Sequence, residues 1–271
     1  MKKLKSPPTV LCFSGNDPTG GAGIQADIET LASLDCHCIP VITALTAQNT
    51  TNLTDLFPVS PEMILAQTEQ VLDDIPVLAF KIGLLADDES AKAVADIIIR
   101  YPEIPVIFDP VLAAGGGASW LDDALLDVIV NEILPESSIV TPNSLEARIL
   151  AGGIDDIDSC GYQILDLGAS YALITGSHEQ TPVVHNTLYS NEADPVTCTW
   201  ERLPAMYHGS GCTLASAIAG LLAQGLSMED ACMEAQEFAW NSLAYGVSLG
   251  QGQLLPNRFF WSRGENESND E

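Results

Sequence analysis

Positive charge is scarce in this chain. Its 271 residues hold 10 Lys and Arg against 37 Asp and Glu, a formal net charge of −27. A field of that sign repels phosphate backbones and argues against nucleic acid as a partner. An anionic small molecule must arrive with its charge partly neutralised, as a nucleotide does when it carries a metal. Salt screens self-repulsion between surface charges, so the acidity reads as adaptation to a salty cell. Long apolar runs are also missing: no stretch of 18 or more is present, which predicts no membrane span. The start, MKKLKSPPTV, has lysines but no apolar stretch with a small-residue cleavage site, so no secretory leader is expected. The seven cysteines are odd in number and form no CxxC, which fits free thiols in a reducing, cytoplasmic compartment. Cys36-His37-Cys38 has no second ligand pair, so it reads as buried small hydrophobes at a turn and not as zinc. No repeat and no Pro- or Ser-rich linker divides the chain. One domain over residues 1–261 is expected, followed by a polar, acidic and disordered tail at 262–271.

What is present is alternation. Hydrophobic residues make up 46 %, enough for a sizeable core. Short Val-, Ile- and Leu-rich runs predict strands at Thr9–Ser14, Ile39–Ala44, Val77–Ile82, Val106–Phe108, Ser138–Val140 and Tyr171–Ile174. Helical patterns lie between them: Ala22–Leu34, Pro61–Leu72, Asp88–Arg100, Asp122–Ile133, Ser144–Ala151 and Cys160–Leu167. Repeated βα units predict a mainly parallel sheet, buried on both faces and therefore unbroken in its hydrophobic character. Beyond Thr175 the pattern changes to a hairpin, Val183–Tyr189 and Val196–Leu203, and two helices, about Cys212–Gln224 and Met228–Gly246.

In such a sheet ligands bind beyond the carboxyl ends of the strands. Four segments there carry chemistry. Ser14-Gly15-Asn16-Asp17-Pro18-Thr19-Gly20-Gly21-Ala22-Gly23 follows the first strand. Its glycines allow close backbone approach, yet it is neither GxGxxG nor a P-loop. Asp27, one turn into the next helix, is expected to face the pocket. Thr46–Thr51 offers Gln48, whose planar amide suits the edge of a nitrogen heteroaromatic. Asp109, Asn143 and Glu146 follow two later strands, and their oxygens suit a hard cation such as Mg²⁺. Asn143 and Glu146 also read as a helix cap with an acidic first turn. The strongest signal is His208-Gly209-Ser210-Gly211-Cys212-Thr213, which opens an apolar helix. Its amides sit at the positive helix end and suit charge developing on a transferring phosphoryl group. Cys212 on that first turn is expected to have a lowered pKa and to take the proton of an attacking hydroxyl.

Taken together these segments resemble the hydroxymethylpyrimidine/phosphomethylpyrimidine kinases of thiamine biosynthesis. The matching stretches are Gly15–Asp27, VITALTAQNT (41–50), KIGLLA (81–86), DPVLA (109–113), TPN with Glu146, HGSGCT (208–213) and LPNRFFW (255–261). They run in order from about residue 9 to 261. The resemblance implies a ribokinase-like three-layer α/β/α fold, ATP with Mg²⁺, and a homodimer. It places Gly15, Asp27, Gln48, Leu84 and Val111 around an aminopyrimidine alcohol. Asn143, Glu146 and Thr175 would lie beside the nucleotide, with Asp109 and Glu146 on magnesium. Cys212 would be the base, and Gly209, Ser210 and Gly211 the anion hole. Two departures remove a cation near the phosphates: Ala113-Ala114-Gly115 and Thr175-Gly176-Ser177 stand where the family usually has a lysine. Two other readings fit: pyridoxal kinase, whose substrate is also a flat heteroaromatic alcohol, and a non-catalytic pyrimidine-binding protein.

If the acidity is adapted to salt, the thermal midpoint should climb steadily from low salt to molar potassium chloride. A flat or falling midpoint contradicts that reading.

Overall fold

The structure is a computed structural model that describes residues 6–113 and 120–262. The expected tail, apart from Ser262, and the glycine run 115–117 lie outside the described residues. Nine strands form one sheet in the order β3-β2-β1-β4-β5-β6-β7-β8-β9. The central strands are β1 (Thr9–Asn16), β2 (His37–Gln48), β4 (Ala79–Ile82), β5 (Val106–Phe108), β6 (Ile139–Val140) and β7 (Tyr171–Thr175). Their mutual pairings are all parallel. Antiparallel strands complete each side: β3 (Leu53–Pro58) on β2, and β8 (Val183–Ser190) with β9 (Val196–Glu201) beyond β7.

The alternation within β1 shows why its run is apolar throughout. Leu11 and Phe13 pack with Ile64, Val94 and Ile98 on one face, while Val10 and Cys12 pack with Leu31, Ala215 and Ile218 on the other. Helices α2 (Pro61–Leu72), α3 (Asp88–Arg100), α4 (Asp123–Val128), α5 (Ser144–Leu150) and α6 (Ile157–Asp166) belong to the first layer. Helices α1 (Gly23–Ser33), α7 (Ser210–Ala223) and α8 (Met228–Ala244) form the second. The arrangement is the expected three-layer α/β/α fold. Cys36 and Cys38 are buried apolar residues, 6 % and 8 % exposed, as expected.

Two elements differ from expectation. The segment 53–58 has exposed or half-exposed residues throughout and carries no apolar run. Its strand is held by the ladder to β2, a tertiary pairing that periodicity does not report. The helix expected over Asp122–Ile133 begins on its Asp122 cap but widens to a π-helical turn at Ile129–Ile133, then tightens to a 3₁₀ turn holding Pro135. Proline lacks the N–H that a continuing helix needs.

The first connection leaves β1 toward β2, whereas β4 leads away toward β5. The crevice between the carboxyl ends of β1 and β4 is thus the place where connections diverge, the general ligand position of open α/β sheets.

Candidate active site

A cavity of about 240 Å³ opens at that crevice. Gly15, Gln48, Leu84, Asp109, Val111, Asn143, Glu146, Thr175, Gly209, Ser210, Gly211 and Cys212 all line it. The fold therefore brings together every expected site residue except one. Asp27 is fully buried and lies outside the cavity wall. It accepts from Ser216 Oγ at 2.6 Å and pairs with Lys81 Nζ at 2.9 Å. Its second oxygen, Oδ2, is buried without a partner.

One wall is formed by Gly15, Leu84, Gln48 and Leu53. Leu84 packs so tightly on Gly15 that a Cβ there would lie 2.5 Å from a Leu84 methyl. Gln48 ends β2, and Leu53 of β3 faces the same space. Across the cavity, Asn143 caps α5. Its Oδ1 accepts from the Leu145 and Glu146 amides at 2.9 and 3.0 Å, and Glu146 Oε2 accepts from the Asn143 amide at 2.9 Å. Capping and cavity lining hold at once. Burial and the neighbouring Asp109 carboxylate push Glu146 up to about 8. Burial likewise raises Asp109, 4 % exposed, whose Oδ2 has no partner. Asp109 and Glu146 thus gather carboxyl oxygens on one side of the cavity.

The opposite end is the start of α7. Gly209 adopts φ +86°, and α7 has no side-chain cap and no acidic residue in its first turn. The first amides of a helix lack intrahelical partners, so these donors are free for an anion. Cys212 stands on this turn and its thiol donates to Asp109. The expected lowered pKa is not what the site produces. Burial and the Asp109 carboxylate push the thiol up to about 12, against Lys81 and a Gly23 amide that donates to the sulfur. The helix end is outweighed because the thiol is only 9 % exposed and faces a carboxylate.

Two pairings were not legible in the sequence. His208 Nε2 lies 2.9 Å from Asp17 Oδ2 and both line the cavity, joining loops 191 residues apart. Lys81 is fully buried beneath the floor, where Asp27 first, then Cys212 and Asp109, keep its ammonium charged against burial. Among the described residues, no lysine or arginine lines the cavity. His208 and Asp17 sit in stretches singled out for their glycines and Lys81 in the KIGLLA stretch, and only tertiary pairing gives each its partner.

Asp17 yields a pH signature. Burial alone would raise it, but hydrogen bonds from His208, Thr19 and Ala22 outweigh burial and hold it at about 2, against 3.8 in the unfolded chain. A depressed carboxyl contributes stability above its unfolded value that is lost as pH falls through the folded one. Asp17→Asn should therefore be destabilised by roughly 2 kcal/mol at neutral pH. The gap to the parent should close in acid denaturation series as pH falls from about 4 to about 2. A gap that stays constant over that window removes Asp17 as the group responsible.

Comparisons with known proteins identify the family and the fold. The profile of the phosphomethylpyrimidine kinase family matches residues 17–257. The hydroxymethylpyrimidine/phosphomethylpyrimidine kinase of Synechococcus elongatus is 36 % identical over 259 residues, which cover 93 % of this chain and 98 % of the relative. An ADP complex of Bacillus subtilis pyridoxal kinase superposes with a TM-score of 0.87 at 28 % identity, covering 95 % of this chain and all of that one. The phosphomethylpyrimidine kinase of Clostridium difficile superposes at 0.74 with 30 % identity, covering 85 % and 97 %. The family profile spans most of the chain and the curated relative is covered almost end to end, so the chain belongs to the phosphomethylpyrimidine kinase family of phosphotransferases.

Proposed function

We propose that this protein transfers the γ-phosphoryl group of ATP to the hydroxymethyl oxygen of 4-amino-5-hydroxymethyl-2-methylpyrimidine, and phosphorylates the resulting monophosphate as well. The observation that carries the reading is a cavity in which the Cys212 thiol meets the open amides of α7. The names of the relatives cover both acceptors. Residues up to 261 act as one kinase domain.

The roles follow from position. Gln48 presents its amide to the ring edge, Leu84 and Val111 cover the ring, and Gly15 leaves room for Leu84. Asn143, Glu146 and Thr175 lie on the nucleotide side. Asp109 and Glu146 fit magnesium, since their raised pKa values and the unpartnered Asp109 oxygen mark a deficit of positive charge. Bound there, the ion supplies counter-charge to the phosphates. The amides of Gly209, Ser210, Gly211 and Cys212 stabilise the oxygens of the transferring group. Cys212 is the base toward the acceptor hydroxyl. In a loose transition state most of the rate comes from positioning and charge stabilisation, and the proton moves late.

We also read the protein as a cytoplasmic homodimer. Free thiols at all seven cysteines suit a reducing compartment. Leu45 and Phe57, about half exposed beside each other on β2 and β3, suit a subunit contact. The pyridoxal kinase likeness, with its higher TM-score, favours one second reading, in which pyridoxal is the acceptor.

Turnover of the pyrimidine alcohol, its monophosphate and pyridoxal, each with MgATP, decides between them. The proposal expects the two pyrimidines to be used and pyridoxal to be poorer; preference for pyridoxal installs the second reading. Cys212→Ala should lower kcat by about 10²- to 10⁴-fold and flatten the rising alkaline limb of the pH–rate profile. Undiminished turnover in that variant removes Cys212 as the base.

A further inference from the structure

Arg258 lies in the LPNRFFW segment, which the site described so far does not use. It is 1 % exposed and is the largest fully buried side chain among the described residues. A guanidinium taken out of water requires a full set of partners. Those of Arg258 come from separate pieces of chain. Nη2 donates to the Gly21 carbonyl, and Nη1 donates to Glu29 Oε2 at 3.0 Å and the Gly20 carbonyl at 3.4 Å. Nε donates to Thr213 Oγ1 at 3.0 Å, and the Thr213 hydroxyl donates onward to the Gly209 carbonyl at 2.8 Å. One planar fork thus bonds the first glycine loop directly and the second through a single hydroxyl.

The consequence is in the peptide planes. In a trans peptide the C=O and the following N–H point in opposite directions. The Gly209 carbonyl accepts from both the Thr213 hydroxyl and, at 3.0 Å, the Thr213 amide, and its turn back into α7 points the Ser210 N–H the other way. Holding the Gly21 carbonyl toward Arg258 turns the Ala22 N–H to Asp17, which it meets at 2.8 Å. The guanidinium lies directly behind the Gly21 and Gly20 carbonyls of the first glycine loop. It therefore places positive charge behind a wall that, among the described residues, carries no lysine or arginine.

We propose that Arg258 is a positioning residue for phosphoryl transfer: it fixes the peptide planes of both glycine loops and supplies fixed positive charge from behind the backbone. The inference rests on the kinase reading above. The test uses the full chain as Arg258→Gln, Arg258→Lys and Thr213→Val, with steady-state kinetics on MgATP and the pyrimidine alcohol. Each variant is assayed below its thermal midpoint and normalised to folded protein. Arg258→Gln should lower kcat by about 100-fold while the acceptor KM stays within about threefold. Arg258→Lys, which keeps the charge without the fork, should recover only part of the loss. Thr213→Val should lower kcat by about tenfold and add little when combined with Arg258→Gln, since both cut one link. A merely structural arginine lowers the midpoint yet leaves kcat per folded molecule within threefold, and that result overturns the proposal. If Arg258→Gln does not fold, Thr213→Val decides, and a folded Thr213→Val with parental kcat overturns it equally. A parent chain without any turnover overturns the kinase reading itself, whereas an active parent with unaffected variants overturns only the role of Arg258.

Discussion

The cavity exists because two backbones that are far apart in sequence lie almost in contact. Gly209 sits so close to Gly21 that a Cβ on it would fall 1.9 Å from the Gly21 carbonyl oxygen, and its φ of +86° disfavours any other residue. This approach sets the start of α7 beside the start of α1, so the open amides of one helix face the strand ends from which the other departs. His208 and Asp17 secure the contact from the cavity side at 2.9 Å, and Arg258 secures it from behind. The acceptor wall at Gly15 and Leu84, the thiol of Cys212 and the carboxylates of Asp109 and Glu146 are placed relative to that junction.

Electrostatics follow the same plan. In a chain of net charge −27 the few cations near the site are used where water cannot dilute them. Lys81 lies under the floor against Asp27, and Arg258 lies behind the glycine loops against Glu29. A charge in a dry, low-dielectric position acts more strongly than one on the surface. Between the two cations lies Cys212, whose thiol is pushed up to about 12 by burial and Asp109. The site thus has cations around it but carboxylates inside it, a balance suited to a substrate that brings its own metal.

Much of this was legible in the sequence. The βα alternation marked the parallel strands because strands buried on both faces must be apolar throughout. The motif glycines and carboxylates marked the strand ends where the cavity lies. What escaped were features made by tertiary pairing. β3 has no apolar run and is held by β2. Asp27 meets Lys81 and Ser216, partners from β4 and α7 that its own helix does not announce. Cys212 has the helix position that lowers a thiol pKa, yet its neighbour Asp109 comes from another strand and reverses the sign. Arg258 was part of a recognisable closing motif, but nothing local told that its fork reaches back 237 residues to Gly21.

The most direct test of the account is Gly209→Ala, with acceptor binding followed by calorimetry and turnover followed in parallel. If the junction of the two glycine loops builds the transition-state site, the pyrimidine should still bind within a few-fold of the parent affinity while kcat falls by about 10²- to 10³-fold. A folded variant that turns over at the parental rate contradicts the account, because the loops would then work without the contact on which the rest of the site is said to depend.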